Sequence, residues 1–306
     1  MSAGPPRAAP VALDGLTHRS VEVEGARWHC VRAGAGPPVV MLHGWPETWY
    51  CWRHQIPAVA AARTVYAPDL LGWGESDKPE GDYSVPAMVG RLKGLLDALG
   101  IGRTALVGHD WGGILSYPFA LRYPEMVDRL FIINAAFHRR PPLAPLHRYY
   151  FHLPLLPELH ARLSGDSLIR GIIRWWAANQ AAFPPEVIAV YQEAFRRPGA
   201  HAATLRYYRA SSVSGMWRRR RYRGPQIAAP LLAVWGERDP VLPVRAAEQL
   251  KEDLPATRVV RVPGAGHFPH EEQPEQVTRL LLAFLDGRLP PDAGGEEGAP
   301  GGPAAH

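Results

Sequence analysis

The sequence predicts an α/β protein: a mostly parallel sheet with helices on both faces and one long helical insertion. Three observations carry this reading. Short, continuous apolar runs recur along the chain, as strands buried on both faces do. Runs of helical periodicity alternate with them. From about Phe137 to Arg223 the alternation stops, in a stretch rich in Trp, Tyr, His and Arg that has helical periodicity and no convincing strand.

In chain order, Arg27–Val31 and Pro38–Leu42 read as strands. Thr64–Ala67 ends at Pro68-Asp69, and Thr104–Val107 runs into a Gly-rich turn. Val127–Asn134, Leu231–Trp235 and Val259–Val262 complete the strand-like set. Helices are expected over Pro86–Leu99, Gly113–Arg122, Val244–Asp253 and Gln273–Leu285. Pro118 falls inside the second of these, where a kink would absorb a cost of about 3 kcal/mol. The expected organisation is a core formed by residues 15–136 and 224–289, a helical cap over 137–223 after the sixth strand, and disordered ends at 1–14 and 290–306. Sites in open α/β sheets lie at the carboxyl ends of the strands, where this cap would sit.

The chain has 306 residues, 46% of them hydrophobic and 21% charged, which suits a globular protein with a sizeable core. No apolar stretch is long enough to span a bilayer, and Met1–Pro10 lacks the apolar region of a secretory signal. Cys30 and Cys51 form no disulfide framework, so a reduced cytoplasmic setting is the simplest reading. The net charge is +5, and Arg218-Arg219-Arg220-Arg221-Tyr222-Arg223 supplies much of it. Without a groove-reading motif this run reads as a solvated basic surface, not a nucleic-acid or membrane site.

The chemistry is concentrated at strand ends. Val107-Gly108-His109-Asp110-Trp111-Gly112-Gly113 follows an apolar strand and opens a helix. This is the strand–turn–helix setting of a nucleophile elbow, with Asp110 where serine usually stands. A carboxylate displaces a leaving group at a saturated carbon and becomes an ester itself. After Leu231–Trp235 comes Gly236-Glu237-Arg238-Asp239-Pro240, with Asp239 as the acid. After Val259–Val262 comes a Gly-rich loop carrying His267. Nucleophile, acid, histidine is the α/β-hydrolase order. Leu42-His43-Gly44-Trp45-Pro46-Glu47 lies where a second oxyanion amide belongs, so the N–H groups of Trp45 and Trp111 are the expected oxyanion hole.

HGWPE, PDLLGWGESDKP, VGHDWGG, VWGERDPVLP and GAGHFPHEEQP together resemble the epoxide hydrolases of the α/β-hydrolase fold and their haloalkane dehalogenase relatives, from about residue 15 to 288. The resemblance implies an eight-stranded, mostly parallel sheet, an inserted helical cap, an Asp nucleophile, a cis peptide between Trp45 and Pro46, and no cofactor or metal. It implies attack by Asp110 on an epoxide carbon, with a cap tyrosine protonating the departing oxygen. In Arg206-Tyr207-Tyr208-Arg209-Ala210 the tyrosine directly before arginine is Tyr208. His267, oriented by Asp239, would then activate water against the ester.

The family's other cap tyrosine is replaced. Counting back from Leu153-Pro154, its place falls on His147, with Tyr149 and Tyr150 as alternative donors to the epoxide oxygen. The abundance of Trp, Tyr, Phe and Leu in the cap suggests an apolar, aromatic or lipid-like epoxide; the expected partners are a small apolar epoxide and water. The alternative is a haloalkane dehalogenase using the same Asp110, with Trp111 and Trp175 or Trp176 as halide donors. A non-catalytic receptor would have no use for His267 and Asp239 together.

Overall fold

The structure, a computed structural model, describes residues 13–136, 149–217 and 226–288. Its centre is an eight-stranded sheet in the order β1-β2-β4-β3-β5-β6-β7-β8. The strands are β1 Thr17–Val23, β2 Ala26–Ala33, β3 Pro38–Leu42, β4 Thr64–Pro68, β5 Thr104–His109, β6 Val127–Ile133, β7 Leu231–Gly236 and β8 Arg258–Val262. β2 is antiparallel to both neighbours, and every pairing from β4 to β8 is parallel. β5 and β7 are buried at every position, because helices cover both faces.

Six core helices flank the sheet among the described residues: α1 Gln55–Ala60, α2 Val85–Ala98, α3 Trp111–Arg122, α8 Arg245–Asp253, α9 Pro269–Glu272 and α10 Pro274–Leu285. Between β6 and β7 lie α4 Leu156–Ser164, α5 Asp166–Trp176, α6 Pro185–Arg196 and α7 Ala200–Trp217, with no strand among the described residues there. Helix α3 runs through Pro118, as the helical reading required. No described helix is long and apolar enough to cross a membrane.

Strand β1 was not among the sequence-derived strands. Its residues are polar and mostly exposed, so this edge strand has no apolar run to betray it, and pairing with β2 holds it in place. Cys30 and Cys51 are buried and free, and burial pushes the Cys30 thiol up to about 12. Of the two ends expected to be disordered, Leu13 and Asp14 are described and lead through a turn into β1. Residues 1–12 and 290–306, together with His147 and the Arg218–Arg223 run, lie outside the described residues.

The helical insert is tied to the core by buried polar groups. The Tyr207 hydroxyl donates to the Leu71 carbonyl at 2.9 Å, and the Trp73 indole donates to Thr204 Oγ1 at 2.8 Å. Tyr191 on α6 donates to Glu271 at 2.8 Å, and Glu271 also receives Arg53. These contacts tie α7 to the segment after β4 and α6 to the segment after β8.

Candidate active site

Asp110 follows β5 and caps α3, with φ 44° and ψ −112°. Such a conformation costs a non-glycine residue about 1–3 kcal/mol and persists only where its surroundings fix it. Here the Asp110 N–H donates to the Ile133 carbonyl at 3.2 Å, and its own carbonyl accepts from Ile114 at 2.8 Å. The turn also needs two close backbone approaches. A Cβ on Gly112 would lie 2.1 Å from the Leu42 carbonyl oxygen, and one on Gly44 would lie 2.5 Å from Asp110 Cβ.

The Trp45 N–H donates to Asp110 Oδ2 at 3.0 Å. Trp45 precedes Pro46 through a cis peptide bond. Trp111 is the first residue of α3, where N–H groups have no partner within the helix. The loop carrying Trp45 is fixed from behind by His43, which donates from Nδ1 to the Gly44 carbonyl at 2.8 Å and accepts the Leu70 N–H on Nε2 at 3.0 Å. That arrangement requires neutral imidazole, and burial correspondingly lowers the His43 pKa.

On the other side of Asp110, His267 Nε2 stands 4.0 Å from Oδ1. His267 Nδ1 donates to Asp239 Oδ2 at 2.8 Å, which leaves the lone pair on Nε2, a buried atom with no hydrogen-bond partner. Asp239 Oδ1 accepts the N–H groups of Val241 and Leu242 at 2.7 and 3.0 Å. Its Oδ2 also accepts from Asn134 Nδ2, while Asn134 Oδ1 accepts the Gly236 N–H at 3.0 Å. Asn134, in the left-handed region just beyond β6, therefore positions the Asp239 carboxylate. In the sequence it stands out only as the end of a strand.

Beneath these groups lies a second buried cluster, which sequence reasoning missed: Glu47, His109 and His270. His109 Nδ1 is 2.7 Å from Glu47 Oε2 and its Nε2 is 2.8 Å from the His267 carbonyl oxygen. Both neighbours are acceptors, so both ring nitrogens must carry protons and the ring is a cation. Burial works against that charge, but Glu47 outweighs it and raises His109 to about 9. Glu47 in turn is held well below the usual carboxylate range, its burial overcome by His109 and His270. His270 Nε2 lies 3.1 Å from Glu47 Oε1, yet burial and the neighbouring His109 charge push it down to about 4. The three residues offer one ligand atom each within 4.8 Å of one another, a set that could hold a metal. In this protonation state Glu47 and His109 form a buried ion pair beside a neutral His270. The signal was present only in part, since Glu47 sits in the quoted HGWPE and His109 precedes the nucleophile.

Glu272 is the other missed residue. Its carboxylate accepts the N–H groups of Gly266 and Phe268, which flank His267, and those of Ala178 and Asn179, just beyond α5. The His267 N–H donates to the Trp176 carbonyl at 2.9 Å. The loop of the catalytic histidine candidate is thus stitched directly to the insert.

The insert supplies an aromatic wall. Tyr208 is buried, its ring centroid 5.2 Å from Trp111, 6.0 Å from Trp45 and 4.6 Å from Phe151. Tyr207, one residue earlier, points into the core and stacks on Trp73 at 4.2 Å. Of the alternative donors, Tyr149 is turned to solvent, and the Tyr150 hydroxyl meets His160 Nδ1 at 2.6 Å on the insert's own surface. Neither reaches Asp110 in this conformation, because the chain turns so that Phe151 takes the inward place. Trp176 packs between Trp45 and His267, at 5.3 and 5.2 Å, whereas Trp175 is exposed.

Residues 37–274 match the family described as alpha/beta hydrolase fold. The chain is 32% identical to the AB hydrolase superfamily protein YfhM of Bacillus subtilis, covering 89% of this chain and 99% of that protein. It is 30% identical to a soluble epoxide hydrolase of a Corynebacterium species, covering 88% and 97%. Among solved structures, Cfl2 of Burkholderia cenocepacia superposes with a TM-score of 0.82 at 32% identity, covering 88% of this chain and 96% of that one. With its eight-stranded sheet, its elbow and these relatives, the chain belongs to the α/β-hydrolase-fold family, in the epoxide hydrolase branch.

Proposed function

We propose that the protein hydrolyses small apolar epoxides to vicinal diols through a covalent ester on Asp110. The observation that carries this reading is the division of the Asp110 carboxylate: Oδ2 is held by the Trp45 N–H at 3.0 Å while Oδ1 faces His267 Nε2 at 4.0 Å. One oxygen is anchored as the future ester carbonyl and the other is left to attack.

In the first step Oδ1 bonds to a ring carbon, the C–O bond of the epoxide breaks, and the oxygen takes the Tyr208 hydroxyl proton. The rings of Trp45, Trp111 and Phe151 around Tyr208 exclude water and favour an apolar substrate. In the second step water loses a proton to His267 Nε2 and adds to Asp110 Cγ. Negative charge collects on Oδ2, where the Trp45 and Trp111 amides would receive it. Collapse breaks the bond between Cγ and the alkyl oxygen, His267 returns its proton to that oxygen, the proton left on the Asp110 carboxyl restores the Tyr208 hydroxyl, and the diol leaves. Asp239, fixed by Asn134, Val241 and Leu242, keeps the His267 tautomer and stabilises its charge.

The test is a single turnover of a styrene-type epoxide in heavy-oxygen water, followed by mass spectrometry. The reading expects the label in the Asp110 carboxylate and none in the first diol formed. Replacing His267 by Gln should trap the ester, seen as protein mass increased by that of the substrate. Label appearing directly in the diol, with no ester trapped, refutes it. Bromide release from bromoalkanes that survives Tyr208→Phe would favour dehalogenation by the same nucleophile.

A further inference from the structure

Helix α4 is turned inside out. Its inner side is made by Pro157 and Ala161, while Leu156, Leu159 and Leu163 form a stripe at positions i, i+3 and i+7 that faces away from the protein. Leu155, just before the helix, and Leu163 are 78% and 76% exposed, and Trp175 at the end of α5 is 58% exposed. Isolated surface leucines need no explanation, but four on one short segment form an apolar patch of the kind that marks an interaction surface.

Beyond its first turn, the neighbouring helix α5 carries only positive side-chain charge. Within the described part, Arg170 and Arg174 are exposed on α5, one helical turn apart, and neither forms an ion pair among the described residues. Leucines and a tryptophan together with exposed arginines are the combination that seats a helix in the interface of an anionic bilayer: the apolar side chains enter the acyl boundary and the arginines meet the headgroups.

We propose that α4 and the adjacent face of α5 form a docking surface for an anionic lipid bilayer. A second copy of the chain fits less well, because the exposed Arg170 and Arg174 of each copy would be brought together. A nucleic acid would meet the arginines but has no use for the leucines. Glu158 and Ala161 of α4 and Ile169 of α5 also line a cavity of about 290 Å³ that Phe195 shares, and the Phe195 ring lies 5.9 Å from Trp45. Docking itself does not depend on the epoxide reading.

The experiment is co-sedimentation of the full chain with phosphatidylcholine vesicles, with and without phosphatidylglycerol. The wild type should pellet with the anionic vesicles at low salt, be released at high salt and stay in solution with the neutral ones. Leu159→Glu/Leu163→Glu should weaken partitioning by about tenfold or more for each leucine. Arg170→Glu/Arg174→Glu should weaken it in a salt-dependent way. Circular dichroism and hydrolysis of a water-soluble epoxide should match the wild type in both variants, since none of the four residues touches the catalytic groups. Failure to pellet overturns the proposal. So does pelleting that ignores the leucine substitutions, which would assign binding to the arginines alone. A concentration-dependent dimer dissolved by Leu159→Glu/Leu163→Glu, without vesicle binding, would give the face to a second copy.

Discussion

His109 joins the two halves of the site: its Nε2 donates to the His267 carbonyl at 2.8 Å while its Nδ1 donates to Glu47 at 2.7 Å. The residue before Asp110 therefore links the loop of Trp45 to the loop of His267. It also brings a buried positive charge next to Asp110. Loss of that charge should be felt in stability as well as in chemistry.

The His109 pKa is raised in the fold to about 9 from an ordinary 6.5. A raised histidine contributes stability that is fully present below the unfolded value and is lost as pH rises through the folded one. Wild-type stability in urea should therefore fall between about pH 6.5 and 9, and His109→Gln should be less stable at neutral pH, by about 3–5 kcal/mol, with a flatter profile over this window. Equal pH slopes in the two proteins would show that His109 is not the titrating group.

Tyr207 and Tyr208 are adjacent on α7 but serve different ends. Tyr208→Phe should lower kcat by about 10²-fold or more while leaving the melting temperature close to that of the wild type. Tyr207→Phe removes the bond to the Leu71 carbonyl and should cost about 1 kcal/mol of stability with little effect on kcat. Steady-state kinetics and thermal melts of the two variants separate these roles; a reversed pattern would mean that the acid has been misassigned.

Glu272 gathers four backbone N–H groups from two segments, the His267 loop and the stretch just beyond α5. Glu272→Ala should cost about 3 kcal/mol or more, since buried donors are left without an acceptor. It should lower kcat more than it raises KM, because the His267 loop loses its anchor. Glu272→Asp is too short to reach all four and should give an intermediate defect.

Gly44 is required by contact, not by an unusual dihedral angle. Gly44→Ala would press its methyl against Asp110 Cβ at 2.5 Å, so the carboxylate must shift away from the Trp45 N–H. A loss of at least about 10²-fold in kcat/KM is expected, in keeping with the sensitivity of oriented groups to small displacements. Near-normal activity would mean that the loop can yield without disturbing the nucleophile.

Much of this architecture was legible in the chain because burial on both faces leaves continuous apolar strands, and strand ends are where the chemistry collects. Asp110, Asp239 and His267 could be picked out for that reason. Strand β1 could not, because an exposed edge strand needs no apolar face. Tyr149 and Tyr150 looked equivalent to inward-facing aromatics until the turn of the chain put Phe151 inside.

The sequence by itself determined the buried strands, the Gly-rich turn that puts Asp110 where serine usually stands, and the placing of Asp239 and His267 at strand ends, since each of these signals is written in residues near one another. Only the tertiary structure decided the rest. Glu47, His109 and His270 come from three separate segments, and Asn134 and Glu272 reach groups far from them in the chain. A hydrogen bond or an ion pair depends on distances of a few ångströms and on exclusion of water, and packing alone sets both. The same holds for the leucines of α4. Their spacing reads as an ordinary amphipathic helix, and only the fold reveals which way that helix faces.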